Sequence, residues 1–104
     1  MAFNGSEGKP IDLNTAAALT TKYRNSHPNE VYSHFFGNAI LQQLLQQPGC
    51  QGIRLYYGSD GTTSKLVAVG ANGEEDDQLG SAFIVADDTP TGPPHCGQAN
   101  VLNS

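Results

Sequence analysis

Residues 35–58 read FFGNAILQQLLQQPGCQGIRLYYG, and this stretch decides the fold. In its first half Phe36, Ile40, Leu41, Leu44 and Leu45 recur at helical spacing and form one continuous apolar stripe. Gln42, Gln43, Gln46 and Gln47 lie opposite, so the outer face carries amides instead of charges. Gly37 weakens the start of this helix, so the helix begins near it, with Ser33 or Asn38 as the expected cap. Pro48-Gly49 ends it, and the period then switches to two. Ile53, Leu55 and Tyr57 fall on one side of a strand, with Arg54 and Tyr56 on the other.

Working outward, SDGTTS supplies a turn at Asp60-Gly61, and KLVAVG returns with Val67 and Val69, which makes a β-hairpin. ANGEEDDQLG is a polar connection, and SAFIVAD is apolar enough for a third strand. Upstream, DLNTAAALTTKYRN reads as a first helix capped by Asp12, with Leu13, Ala16, Ala17, Leu19 or Thr20, and Tyr23 on its apolar face. Pro28 stops it. The expected architecture is α+β in two layers, with both helices on one face of a small antiparallel sheet. Residues 1–10 read as a flexible arm and 11–86 as the domain. Residues 87–104 read as a Pro/Gly-rich tail packed on the domain or on a partner.

Composition narrows the function classes. Leu, Ile, Val and Phe make up about a fifth of the 104 residues, so a single modest core is expected. Through Lys65, five basic residues stand against four acidic ones, a balance of +1; from Leu66 onward there are six acids and no base. A phosphate backbone needs a basic stripe, and an anionic membrane surface needs a basic patch; the chain has neither. No apolar stretch is long enough to span a bilayer. Partners that fit are proteins, including copies of the chain itself, or cations. The polar opening MAFNGSEGKP is not a signal peptide, so a cytoplasmic setting is the default expectation, with leaderless export as the alternative.

Several residues are candidates for chemistry. Cys50, Cys96, His34 and His95 are a valid zinc set by type, but they lack the close ligand pairs of structural zinc sites. Cys50 or Cys96 with His34 would make a thiol–imidazole pair for a small hydrolase or transferase. Both local fields oppose a thiolate: Cys50 follows a helix C-terminus, and Cys96 lies in the acidic half. The plainer readings are a Cys50–Cys96 disulfide or two separate thiols. Glu74, Glu75, Asp76 and Asp77, with Asp87 and Asp88, supply oxygens for a cation such as calcium but do not match the EF-hand loop. Phe35 with Gln42, Gln43 and Gln46 is a candidate contact patch, against the reading that Phe35 packs on the first helix. No nucleotide-binding loop and no motif for a cofactor occurs, so no cofactor is expected.

The elements IDLNTAAALT, YR, HFFG, QPGC and IRLYYG, with PPHCG near the end, resemble a group of short uncharacterised bacterial proteins of the Bacteroidota type. The resemblance implies a self-contained fold and brings no activity and no functional residues with it. The function expected from the residues is therefore a non-enzymatic interaction or self-assembly module. A small Cys/His-dependent enzyme and a cation-binding module are the alternatives.

Overall fold

The amphipathic helix ends at Leu45 with Gln46 as its C-cap, and Pro48-Gly49 leads into a strand that starts at Cys50. The computed structural model describes residues 2–104. In chain order the elements are α1 (Leu13–Ser26), β1 (Ser33–His34), α2 (Asn38–Leu45), β2 (Cys50–Ser59), β3 (Ser64–Asn72), β4 (Val85–Ala86) and β5 (Thr91–Gly92). The fold is α+β. The chain divides into two units, one comprising the N-terminal residues up to Glu7 with Phe36–Thr89, the other Gly8–Phe35 with Pro90–Ser104. This division cuts across the boundaries at residues 10 and 86 read from the sequence.

In the first unit β2, β3 and β4 form an antiparallel sheet in that order. The β2–β3 register runs from Cys50 opposite Asn72 to Ser59 opposite Ser64, with one irregularity between Cys50 and Gly52. Asp60 shapes the connecting turn. Its Oδ1 accepts from the amides of Thr62 (2.9 Å) and Thr63 (2.8 Å), and Gly61 supplies the positive φ. Those backbone donors hold the Asp60 carboxyl down to about 2. The third strand is shorter than SAFIVAD promised: only Val85 and Ala86 pair, with Val69 and Ala68.

Within the first unit the helix laid over this sheet is α2. Leu44 is fully buried with Ala68 and Ala86, and Phe36, Ile40 and Ile53 pack around them. Leu45, read as part of the buried stripe, is exposed. The cap also differs from expectation. Gly37 takes the N-cap position with no side-chain bond, Ser33 lies in β1, and Asn38 is already helical. The amide of Leu41 closes the first turn on the Gly37 carbonyl instead (3.3 Å).

Gln47, assigned to the outer amide face, turns inward. Its Nε2 donates to Oε1 of Gln78 (3.0 Å), and its Oε1 accepts from the Ile84 amide (2.9 Å). Gln78, only 4% exposed, completes the network by donating to the Pro48 carbonyl (2.8 Å). This polar lock needs Gly70. A β-carbon there would stand 2.6 Å from Gln78 Oε1 and 3.1 Å from Cys50 Sγ.

In the second unit Asp12 caps α1 as expected, its carboxylate accepting from the Thr15 amide (2.8 Å). The apolar face read on this helix forms no core: no α1 residue is buried, and Leu13, Leu19 and Tyr23 are exposed. The tail is not wholly irregular either. Thr91–Gly92 pair antiparallel with Ser33–His34, and the Tyr32 amide donates to the Gly92 carbonyl (2.8 Å). The chain end is held by Arg24, which donates to the carbonyls of Leu102 and Ser104.

Candidate interaction surface

The sheet of the first unit is longer than its helical cover. An α2 of 8 residues spans roughly 12 Å at helical rise, whereas a β2 of 10 residues spans roughly 33 Å. The cover reaches Ile53 and Ala68 and stops there. Leu55, opposite Ala68, is 50% exposed, and Tyr57, opposite Leu66, is 96% exposed. The strand reading placed Ile53, Leu55 and Tyr57 together on the inward side. They do share a face, but only Ile53 is covered.

Among the described residues β2 is also the edge of its sheet, with no strand on its outer side. An unpaired edge presents a row of backbone donors and acceptors and is usually blunted by lysine, proline, a bulge or extreme shortness. β2 between Ile53 and Ser59 has none of these. Its one charge, Arg54, is neutralised within the unit. The bare part of β3 differs, since it carries Lys65, 4.0 Å from the Asp60 carboxylate.

The other face of β2 carries a polar cluster. Arg54 Nη1 donates to Asp77 Oδ1 (2.5 Å) and to the Glu75 carbonyl (3.2 Å). The Tyr56 hydroxyl donates to Asp77 Oδ2 (2.5 Å). The Tyr56 bond, with Arg54 second, holds the Asp77 carboxyl below the usual carboxylate range. The same bond to Asp77 raises the Tyr56 hydroxyl. The guanidinium lies 5.4 Å from the centre of the Phe3 ring, a cation–π contact from the N-terminal segment. That segment is fixed by the Phe3 amide on the Gly73 carbonyl (3.0 Å), so the arm read as flexible is bound here. An open groove of about 340 Å³ lies between Phe3, Glu7, Gln51, Ile53, Arg54 and Ala71. Among the described residues its cation is Arg54, which is already paired with Asp77.

The other sequence candidates fall as follows. Cys50 lies in the first unit; Cys96, His34 and His95 lie in the second. Both cysteines are free thiols, so the Cys50–Cys96 disulfide is not formed. Each thiol has its own local partner. Cys50 Sγ donates to the Gly52 carbonyl (3.1 Å), and Cys96 Sγ lies 3.3 Å from the Tyr32 hydroxyl. The contact with Cys96 is the main cause that raises the Tyr32 hydroxyl. Asn103 secures this end by donating to the Cys96 carbonyl (2.9 Å) while its own carbonyl accepts from Tyr32 (3.1 Å).

No three His, Cys, Asp or Glu side chains come together to hold a metal among the described residues. Neither the zinc set nor the acidic loop supplies such a group among the described residues. The run Glu74, Glu75, Asp76, Asp77 is a folded turn: Asn72 Oδ1 accepts from the amides of Glu74 (2.9 Å) and Asp76 (3.0 Å), and Asp77 is taken by Arg54 and Tyr56. Of the contact patch, Gln42, Gln43 and Gln46 are exposed on α2. Phe35 is 66% exposed and belongs to the second unit, where its amide donates to the Pro90 carbonyl (2.9 Å). Among the described residues no helix is long and apolar enough to cross a membrane.

Sequence reasoning missed Leu55 and Tyr57 as surface residues. The signal was present as a length mismatch, because eight helical residues before Pro48 cannot roof a ten-residue strand. Comparison with protein-family models, with curated proteins and with solved structures found no match.

Proposed function

We propose that the protein is a non-enzymatic interaction module that completes its sheet with an extended strand from a protein partner laid along β2. The observation that carries this reading is the Ile53–Ser59 edge: unpaired, without a protecting device, and flanked by the exposed Leu55 and Tyr57. In such pairing the backbone supplies affinity, and the alternate side chains supply selectivity. Leu55 and Tyr57 would grip the apolar side chains of the incoming strand. The Arg54–Asp77–Tyr56 cluster behind them holds β2 in extended form before a partner arrives.

The test is a selection of random decapeptides displayed against the protein. The reading expects enriched peptides with alternating apolar residues that protect β2 amides from hydrogen exchange. Binding of those peptides should fall when Leu55 and Tyr57 are both changed to Lys. Enrichment of helical-period peptides, or binding indifferent to the double change, contradicts it.

A further inference from the structure

We infer that the strand received by β2 is β2 of a second copy, running antiparallel across a two-fold axis at Leu55. The inference rests on the edge-pairing reading above and names its partner.

Symmetric antiparallel pairing places residues of equal parity opposite one another, so it centres on a single residue. Three centres keep the exposed part of β2 in the pair. Centring on Arg54 sets the bare Tyr57 against the polar Gln51, off the apolar strip. Centring on Tyr56 sets Leu55 against Tyr57 and Arg54 against Gly58 but Ile53 against the polar Ser59, which breaks the apolar strip. Centring on Leu55 sets Leu55 against Leu55, Ile53 against Tyr57 and Gly52 against Gly58. On that face each bare Tyr57 is laid beside the covered Ile53 of the other copy, so the apolar strip is continuous across the joint.

The opposite face fits as well. In the Leu55 register Arg54 of each copy lies across from Tyr56 of the other, whose hydroxyl already donates to its own Asp77. Arg54 and Asp77 are already paired within each copy, so this face brings no unpaired charge to the joint. The edge contains no acid, so the net charge of −5 per chain is carried elsewhere than on β2 itself. The product is a continuous sheet of six strands in which both β2 edges disappear.

Single cysteines test the register on a background with Cys50→Ala and Cys96→Ser, after circular dichroism confirms a native spectrum. Facing residues in an antiparallel pair have Cα atoms about 4.5–5.5 Å apart, within disulfide range, whereas diagonal ones lie about 7–8 Å apart. Leu55→Cys should therefore oxidise to a covalent dimer, and Arg54→Cys and Tyr56→Cys should not. Ile53→Cys mixed with Tyr57→Cys should link, although neither does so alone.

Sedimentation of the unmodified chain should show a monomer–dimer equilibrium. Changing Leu55 and Tyr57 together to Lys should weaken it roughly tenfold or more. Strongest crosslinking at Arg54→Cys or Tyr56→Cys overturns the register. A monomer at every concentration overturns the second copy as partner. In that case selected peptides that still protect β2 show that the edge-pairing reading survives, and their absence shows that both fail.

Discussion

At the base of the β2–β3 hairpin Ile53 packs against Leu44, Ala68 and Ala86; four residues on, along the same face, Tyr57 stands almost wholly in water. The alternation of side chains is the same at both ends. The difference lies in what is laid over them. At the base, α2 and the two residues of β4 enclose the central strand, and Gln47 and Gln78 lock the layers together. At the tip there is only a turn, held by Asp60. Period two therefore establishes that a face exists, but the length of the covering element decides how much of it becomes core.

The contrast is broken most severely at the base. Leu44→Ala removes the largest side chain in the core cluster and should cost about 2–5 kcal/mol, read as a lowered denaturation midpoint. A loss below about 0.5 kcal/mol, the range of ordinary surface changes, would mean that α2 is not the cover described here. Gly70→Ala comes next, at about 1–3 kcal/mol, because the new methyl group meets Gln78 and breaks the polar lock. The variant should melt lower, and the side-chain amide resonances of Gln47 and Gln78 should lose their dispersion.

At the tip the expectation reverses. Tyr57→Lys should change stability by no more than about 0.5 kcal/mol while reducing self-association, a separation visible by pairing chemical denaturation with sedimentation. A large loss of stability in dilute solution would show that Tyr57 is part of a core.

The smallest effect concerns Asp60. Its folded-state pKa of about 2 lies below the ordinary aspartate value of 3.8, so the unfolded chain binds more protons between those values. The resulting stabilisation is complete above about pH 5 and is lost as pH falls toward 2. Asp60→Asn should remove that part of the acid dependence, and an unchanged acid limb would show that the turn is not held by this carboxylate.

What was legible in the sequence follows the same division. Most of the α2 stripe, the Asp12 cap and the β2–β3 hairpin can be read, because each depends on local pattern, whereas the helix stops at Leu45, short of Pro48. Cover over Tyr57 was overestimated because pattern says nothing about reach. Gln47 was placed outside because helical spacing groups it with Gln43 and Gln46; only the fold brings Gln78 and the Ile84 amide to it. The β1–β5 pair joins two residues to two across most of the chain, which leaves no periodicity to detect. Asp77 looked like a cation ligand because its neighbours in sequence are acids, whereas its neighbours in space are Arg54 and Tyr56.

The central claim is that β2 has one finished edge and one waiting edge. Residue-resolved amide hydrogen exchange at low and high protein concentration tests it most directly. The account predicts that β2 amides bonded to β3 are protected at both concentrations. The outward amides between Ile53 and Ser59 should exchange rapidly in dilute solution and slowly when concentrated. Equal, rapid exchange of those outward amides at both concentrations, or concentration-dependent protection confined to α2, would contradict it.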